Sequence, residues 1–294
     1  MLSKAEQIQA TPALPPPPPP VHEDAHLLAF DKPAGLLAVP GRGPDKADCL
    51  SARVQTRWPQ ALIVHRLDEA TSGLMLMAQG ARMQRLLGEA FAQRRVRKHY
   101  EAVVCGSAEA ARAAFAACLA ACPRASLAAA GSIEPGDTDG SGWACVNWPL
   151  MPDWPRRPRS KVDHAHGKPS LTLWRPLGPG PWPGTTRLAL RPVTGRSHQL
   201  RVHLAALGLP IAGDALYAPP AAQALAPRLL LHACALHLTH PATGERLQLQ
   251  SRAEHFDALA AAGGGFRSHF DSTLRFQTKG LRPIDPPFFS LLSR

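Results

Sequence analysis

The chain has 294 residues, 45% of them hydrophobic, enough to bury the core of one large domain or two small ones. Lys and Arg exceed Asp and Glu by eleven and the pI is near 10.0, a balance that suits a polyanionic partner and argues against a small neutral substrate. No stretch reaches the roughly 18 apolar residues of a membrane span, and no charged segment precedes an apolar one at the N-terminus, so a cytoplasmic protein with no membrane partner is expected.

Residues 1–23 contain Pro12 and the unbroken run Pro15 to Pro20, a composition that favours a stiff, disordered polyproline II tail over packed structure. Phe30 to Pro40 reads as a short apolar strand that turns at Pro33 and Gly35. Val64 to Leu74 then embeds Arg66 and Asp68 between apolar segments. A carboxylate placed there must be held for a reason, although an Asp beside an Arg in isolation reads more readily as a structural ion pair. Between Gln79 and Arg95, Met83, Leu86, Leu87, Ala90 and Phe91 share one helical face. In Arg97 to Val104, Tyr100, Ala102 and Val104 alternate as one face of a half-buried strand, where Tyr100 could equally be a core residue.

Residues 107–142 form an Ala-rich segment, with a helix expected around Ala108 to Ala121 and a Gly/Asp/Ser loop after it. Its charges, Glu109, Glu134, Asp137 and Asp139 against Arg112 and Arg124, sum to minus two, so it is expected to lie apart from the basic surface. Further on, Leu188 and Leu190 alternate with Arg187 and Arg191 as a strand, Thr194 and Gly195 turn, and Leu200, His203, Leu204 and Leu207 recur at helical spacing until Gly208 and Pro210 stop the helix. A helix start carrying Arg196, Ser197, His198, Gln199 and Arg201 brings backbone N–H groups, a positive dipole end and two guanidinium groups together, an anion site suited to phosphate and to a buried carboxylate. Leu236 to Leu249 reads as a hairpin about Pro241 to Gly244. Residues 255–294 form a C-terminal extension to which the sequence assigns no role.

Six scattered cysteines, Cys49, Cys105, Cys118, Cys122, Cys145 and Cys234, form no CxxC pair and are expected as reduced thiols, Cys118 and Cys122 as packing residues one helical turn apart. The thirteen histidines include no HExxH run, and His164-x-His166 and His237-x-x-His240 are weak spacings, so no metal is expected.

Four blocks in order, Phe30 to Pro40, Val64 to Leu74, Arg97 to Val104 and Arg191 to His203 with its continuation through Gly208, Pro210, Gly213, Asp214 and Tyr217, resemble the RluA family of RNA pseudouridine synthases. The resemblance spans roughly residues 24–254. Asp153 to Val162, which resembles a DWP-x-RP block, and Pro227 to Ala233 point to the ribosomal large subunit pseudouridine synthase A type, which carries no separate N-terminal RNA-binding domain. That resemblance implies one catalytic domain of α+β class, a bent, mainly antiparallel mixed sheet flanked by helices and loops with the active-site cleft across it, and a monomer. It also implies the reaction, isomerisation of uridine to pseudouridine in stem-loops of 23S rRNA and of the tRNA anticodon loop, or of rRNA alone, without cofactor or metal. Because N1 and C1′ are inaccessible in a stacked nucleotide, the uridine must be flipped into a pocket.

By the same resemblance, Asp68 starts glycosidic cleavage, either by attack at sugar or base or as a base at C2′. Arg201 pairs with Asp68 and keeps it ionised, Tyr100 stacks on the uracil and assists proton removal at C5, and Arg66 fills the gap left by the flipped base. Lys98, Arg196, His198 and Gln199 complete the RNA-contacting set. Two other classes fit the composition: a non-catalytic RNA-binding protein or chaperone on this scaffold, and a basic hydrolase pairing Asp68 with His65 or His198. The intact Asp68, Tyr100 and Arg201 set disfavours the first, and the lack of a nucleophile motif disfavours the second.

Overall fold

In the computed structural model, which describes residues 14–43, 46–122 and 142–253 together with Phe256 and Ala258, the elements run β1 (Pro20–Glu23), β2 (Leu27–Lys32), α1 (Leu50–Gln55), β3 (Ala61–Ile63), β4 (Ser72–Gln79), α2 (Ala81–Ala92), β5 (Arg97–Cys105), α3 (Ala108–Ala120), β6 (Ala144–Val146), β7 (Leu150–Pro152), β8 (Ser160–Val162), β9 (Thr172–Pro179), β10 (Thr185–Pro192), α4 (Gln199–Ala206), α5 (Pro220–Ala224), β11 (Leu231–Thr239) and β12 (Arg246–Gln250). Ten strands form one sheet in the order β1-β2-β4-β11-β5-β10-β9-β6, with β3 on β4 and β12 on β11, while β7 and β8 pair separately. Every pairing is antiparallel except β4 with β11, so the sheet is mixed and mainly antiparallel and the fold is α+β.

The unbroken apolar run of β4 follows from burial on both faces. Leu74, Leu76 and Ala78 join Leu27 and Ala29 against Met83, Leu87 and Ala90 of α2, whereas Met75 and Met77 join Leu28 and Phe30 against Leu50 and Val54 of α1 and against Trp58. The parallel β4–β11 junction joins the two halves of the sheet, and it explains the Thr71-Ser72-Gly73 motif. Gly73 has φ +114, and a Cβ there would collide with the Ala233 backbone. Ser72 Oγ lies 3.0 Å from His232 Nδ1 across the same junction. The loop bearing Asp68 enters β4 at this point, so a crowded join between two sheet halves fixes its position.

Three expectations need correction. The expected tail reaches into the sheet, because β1 pairs with β2 as an edge strand, a position that tolerates Pro20, and Glu23 accepts from Trp58 Nε1 at 2.8 Å. At the other end Phe256 is fully buried in the main core, beyond the expected boundary at residue 254, because its ring fills space beside His232 and Arg187. Cys122 and Cys145 form a disulfide rather than two reduced thiols: folding brings the end of α3 beside β6, with the two Cα atoms 5.5 Å apart, while Cys49, Cys105, Cys118 and Cys234 remain free.

The Ala-rich segment does supply a helix, α3, capped by Ser107, whose Oγ accepts from the Ala110 N–H at 3.1 Å. It is less peripheral than its charge implied. Ala111 is fully buried, and Phe115 meets the buried Trp174 edge to face with ring centroids 5.5 Å apart. The expected loop after it falls mostly in residues 123–141, outside the described residues.

Candidate active site

A cleft of about 520 Å³ opens where the loop before β4, the start of β5, the end of β10 and the start of α4 converge. Among the described residues its wall carries Arg66, Arg94, Lys98, Arg196 and Arg201 against a single carboxylate, Asp68. The eight residues singled out from the sequence, Arg66, Asp68, Lys98, Tyr100, Arg196, His198, Gln199 and Arg201, all line it.

The loop bearing Asp68 is held by its neighbours from behind. His65 Nε2 accepts from the Leu76 N–H at 2.8 Å, and its ring stacks on Phe91 at 4.6 Å. Burial, with Lys98 adding to it, pushes the His65 pKa down to about 3, so the ring stays neutral and its accepting nitrogen is occupied. A hydrolase with His65 as base is therefore ruled out by geometry, and the cleft wall contains no Ser or Cys nucleophile among the described residues. Leu67 is buried, which turns Arg66 and Asp68 outward on either side of it. The Gly35 N–H and the Lys32 ammonium both donate to the Glu69 carbonyl, at 2.8 and 3.1 Å, and Lys32 also donates to the Leu36 and Pro33 carbonyls. The Asp31-Lys32-Pro33-Ala34-Gly35 turn is thus a clamp on the loop that bears Asp68. Lys32 is fully buried, and desolvation lowers its pKa to about 8 despite the opposing charges of Asp68 and Glu69.

Arg201 has a second carboxylate partner besides the expected Asp68. It binds Asp214 through Nε at 2.8 Å and NH2 at 2.6 Å, and only NH1 reaches Asp68, at 3.9 Å from Oδ2. The reason is burial. An Arg with a side chain only 4% exposed needs a fully matched carboxylate, and Asp214 is at 1% whereas Asp68 at 29% is half in solvent. Asp214 also accepts from the Leu216 and Tyr217 N–H groups. Arg201 therefore stands beside Asp68 as a fixed positive charge.

His198 and Gln199 are likewise drawn inward. Gln199 is 4% exposed and its amide is fully engaged: Oε1 accepts from the Thr194 hydroxyl and the Arg196 N–H, while Nε2 donates to the Leu171 carbonyl and to Thr172 Oγ1. It shapes the 194–196 turn instead of reaching outward. His198 places Nδ1 2.7 Å from the Tyr217 hydroxyl and Nε2 3.8 Å from Asp68 Oδ2. Arg196 stays exposed, with one contact to the Pro169 carbonyl at 3.3 Å. Lys98 reaches along the cleft toward Gly195, where a Cβ would lie 3.6 Å from its Nζ, an ordinary contact distance. Burial and the nearby Arg94 lower the Lys98 pKa to about 8. Tyr100 sits on β5 between Leu190 and Ala233, and burial followed by the Asp68 charge raises its hydroxyl pKa.

Three cleft-building residues were not given roles by sequence reasoning. Asp214 and Tyr217 stand in the third block but carry no local signal of their purpose, since their partners lie thirteen and nineteen residues away. Arg94 has φ 59, one of two non-glycine residues with positive φ among the described residues, the other being His198. Only the basic run from Arg94 to Lys98 hinted at it. Among the described residues no three His, Cys, Asp or Glu side chains converge as a metal site.

The sequence profile of RNA pseudouridylate synthases matches residues 26–206, a span holding Asp68, Tyr100 and Arg201. The chain belongs to the RNA pseudouridylate synthase family. It is 41% identical over 244 residues to the dual-specificity RNA pseudouridine synthase RluA of Pasteurella multocida, covering 83% of this chain and 97% of that protein. Identity to the protein of the same name from Escherichia coli K12 is 40% over 234 residues, or 80% and 92% of the two chains. The solved structure of human RNA pseudouridylate synthase domain containing 1 superposes with a TM-score of 0.60 at 24% identity, over 82% of this chain and 86% of that one, which shows the shared fold. This synthase is accordingly an RNA uridine isomerase, and no helix among its described residues is long and apolar enough to cross a membrane.

Proposed function

We propose that this synthase isomerises uridines in two RNAs, a stem-loop of 23S rRNA and the anticodon loop of tRNA, acting as a monomer in the cytoplasm. The observation that carries the reading is the solitary carboxylate Asp68, partly exposed in a cleft of five cations beside Tyr100. Relatives that are 36–41% identical over most of this chain are named dual-specificity RNA pseudouridine synthases. Loop recognition suits such a site, because proteins read RNA sequence on unstacked loop bases while cations hold the phosphates.

In this reading the target uridine leaves its stack and enters the cleft, and Arg66, exposed at the rim, occupies the vacated space. Asp68 initiates cleavage of the N1–C1′ bond; the freed uracil turns over on the Tyr100 ring, and C5 bonds to C1′. The electron pair of the broken N1–C1′ bond stays with the uracil, C5 loses its proton to a base as it bonds to C1′, and N1 takes up a proton, so atoms and charge balance with no redox change. Arg201 supports the charge of Asp68 across 3.9 Å. Lys98, Arg94 and Arg196 hold the flanking phosphates.

The test is release of tritium from [5-³H]uridine placed in each of the two stem-loops, which only C5 substitution produces. Wild type is expected to release tritium from both and Asp68→Asn from neither, with RNA binding retained. Release from the rRNA hairpin alone would leave a single-substrate synthase, and no release from either would defeat the assignment.

A further inference from the structure

His198 stands at the start of α4 in the left-handed region, φ 56, with a side chain that caps no helical N–H. A non-glycine residue held there is strained and persists only where its surroundings fix it. The fixing contact is Tyr217, whose hydroxyl oxygen lies 2.7 Å from His198 Nδ1 and accepts the Ser160 N–H from β8, also at 2.7 Å. A phenol has one hydrogen. Ser160 already donates to this oxygen, and when the one phenol hydrogen is directed at Nδ1 the neutral ring carries its proton on Nε2. That nitrogen faces Asp68 Oδ2 at 3.8 Å, the same oxygen that Arg201 NH1 approaches at 3.9 Å.

We propose that His198 is a positioning residue for the isomerisation: its Nε2–H and Arg201 together hold one oxygen of Asp68, so that the other oxygen is presented to the nucleotide, and Tyr217 sets the tautomer that allows this. The inference rests on the uridine-isomerase reading. The present 3.8 Å separation is about 1 Å longer than a formed hydrogen bond, and catalytic hydrogen bonds commonly tighten when substrate fills the site. The charged and titratable groups facing the ring are Asp68 and Arg66 from the loop before β4, Arg201 from α4, and Asp214 and Tyr217 from the segment after it. Burial outweighs the attraction of Asp68 and holds the His198 pKa below the ordinary histidine value, so the ring is a neutral donor at neutral pH.

Two measurements on the full chain test this. Nitrogen-15 NMR of the histidine ring is expected to show the Nε2–H tautomer for His198 in wild type and a mixture in Tyr217→Phe; an Nδ1–H ring in wild type would overturn the proposal. In tritium-release kinetics His198→Gly, which relieves the left-handed strain, is expected to lose about a hundredfold in kcat with KM for the stem-loop within about threefold, and to regain part of that rate with added imidazole. Should the glycine variant not fold, His198→Asn, which also tolerates this φ, is expected to show the same split. A kcat within threefold of wild type, a loss confined to KM, or a folded glycine variant that imidazole does not restore would each overturn it. A wild-type protein that releases no tritium would instead refute the isomerase reading, and the NMR result would still judge the hydrogen-bond geometry.

Discussion

Asp214→Asn separates holding Arg201 from performing chemistry. In wild type the buried guanidinium is matched by two charge-assisted bonds of 2.6 and 2.8 Å, and its only other carboxylate among the described residues is Asp68 at 3.9 Å. Removing one member of a buried pair leaves an uncompensated charge at a cost of about 3–5 kcal/mol. For a domain of this size that corresponds to a melting temperature lower by roughly 6–20 °C. The freed guanidinium should then swing toward Asp68, where the Coulomb attraction at this distance is about 4 kcal/mol at an effective dielectric near 20. Asp68 would thereby become a weaker nucleophile or base, displaced by about 1 Å, and kcat should fall about a hundredfold. Asp68→Asn supplies the contrast. Its carboxylate is 29% exposed and its nearest charged partners lie 3.8 and 3.9 Å away, so stability should change by less than about 1 kcal/mol while turnover disappears. Urea denaturation and tritium release on both variants decide the matter. If Asp214→Asn unfolds within 1 kcal/mol of wild type, or keeps kcat within threefold, Arg201 is not anchored as argued.

Tyr100→Phe should keep RNA affinity within about threefold and retain part of the rate, whereas Tyr100→Ala should lose both, as gel-shift and tritium assays would show; equal loss in the two variants would assign the role to the hydroxyl. Lys98 is charged below its lowered pKa of about 8 and neutral above it, so RNA affinity should weaken as pH rises from 7 to 9. Fluorescence anisotropy on Lys98→Met should show weaker binding at pH 7 and a flatter pH dependence, and an unchanged slope would remove Lys98 from the phosphate-binding set. Phe115→Ala should cost about 2 kcal/mol by exposing Trp174 while leaving kcat within twofold, measured by thermal unfolding and single-turnover kinetics; a large kcat loss at full stability would make α3 part of the substrate surface.

The elements best read from sequence are those whose own periodicity decides them. The helix expected between Gln79 and Arg95 is α2 at Ala81–Ala92, because Met83, Leu87 and Ala90 recur on one face that meets β4. The expected hairpin is β11–β12, whose turn closes with the His240 N–H on the Glu245 carbonyl and with Gly244 at φ +77. Boundaries set by distant partners were not legible. Pro15 to Pro20 reads as a tail, yet the register of β1 on β2 is fixed by β2, and nothing near Phe256 announces the core that receives it.

The site divides the same way. Motif order marked the residues that converge on the cleft, but it could not assign which carboxylate each cation serves. A guanidinium between Asp68 and Asp214 goes to the more buried of the two, and burial is a property of the packed core around α4, in which Leu200 and Leu204 face inward. Gln199 makes the same point from the other side. A polar residue at a helix start reads as a ligand-facing group, yet four hydrogen bonds to Thr194, Arg196, Leu171 and Thr172 draw it into the interior. With Gln199 and Asp214 buried, the 194–196 turn and Arg201 are fixed before RNA arrives. Asp68 keeps its partial exposure because Arg201, the positive charge beside it, is anchored by Asp214, whereas a carboxylate paired as tightly as Asp214 would have little interaction left to offer a ligand in the cleft.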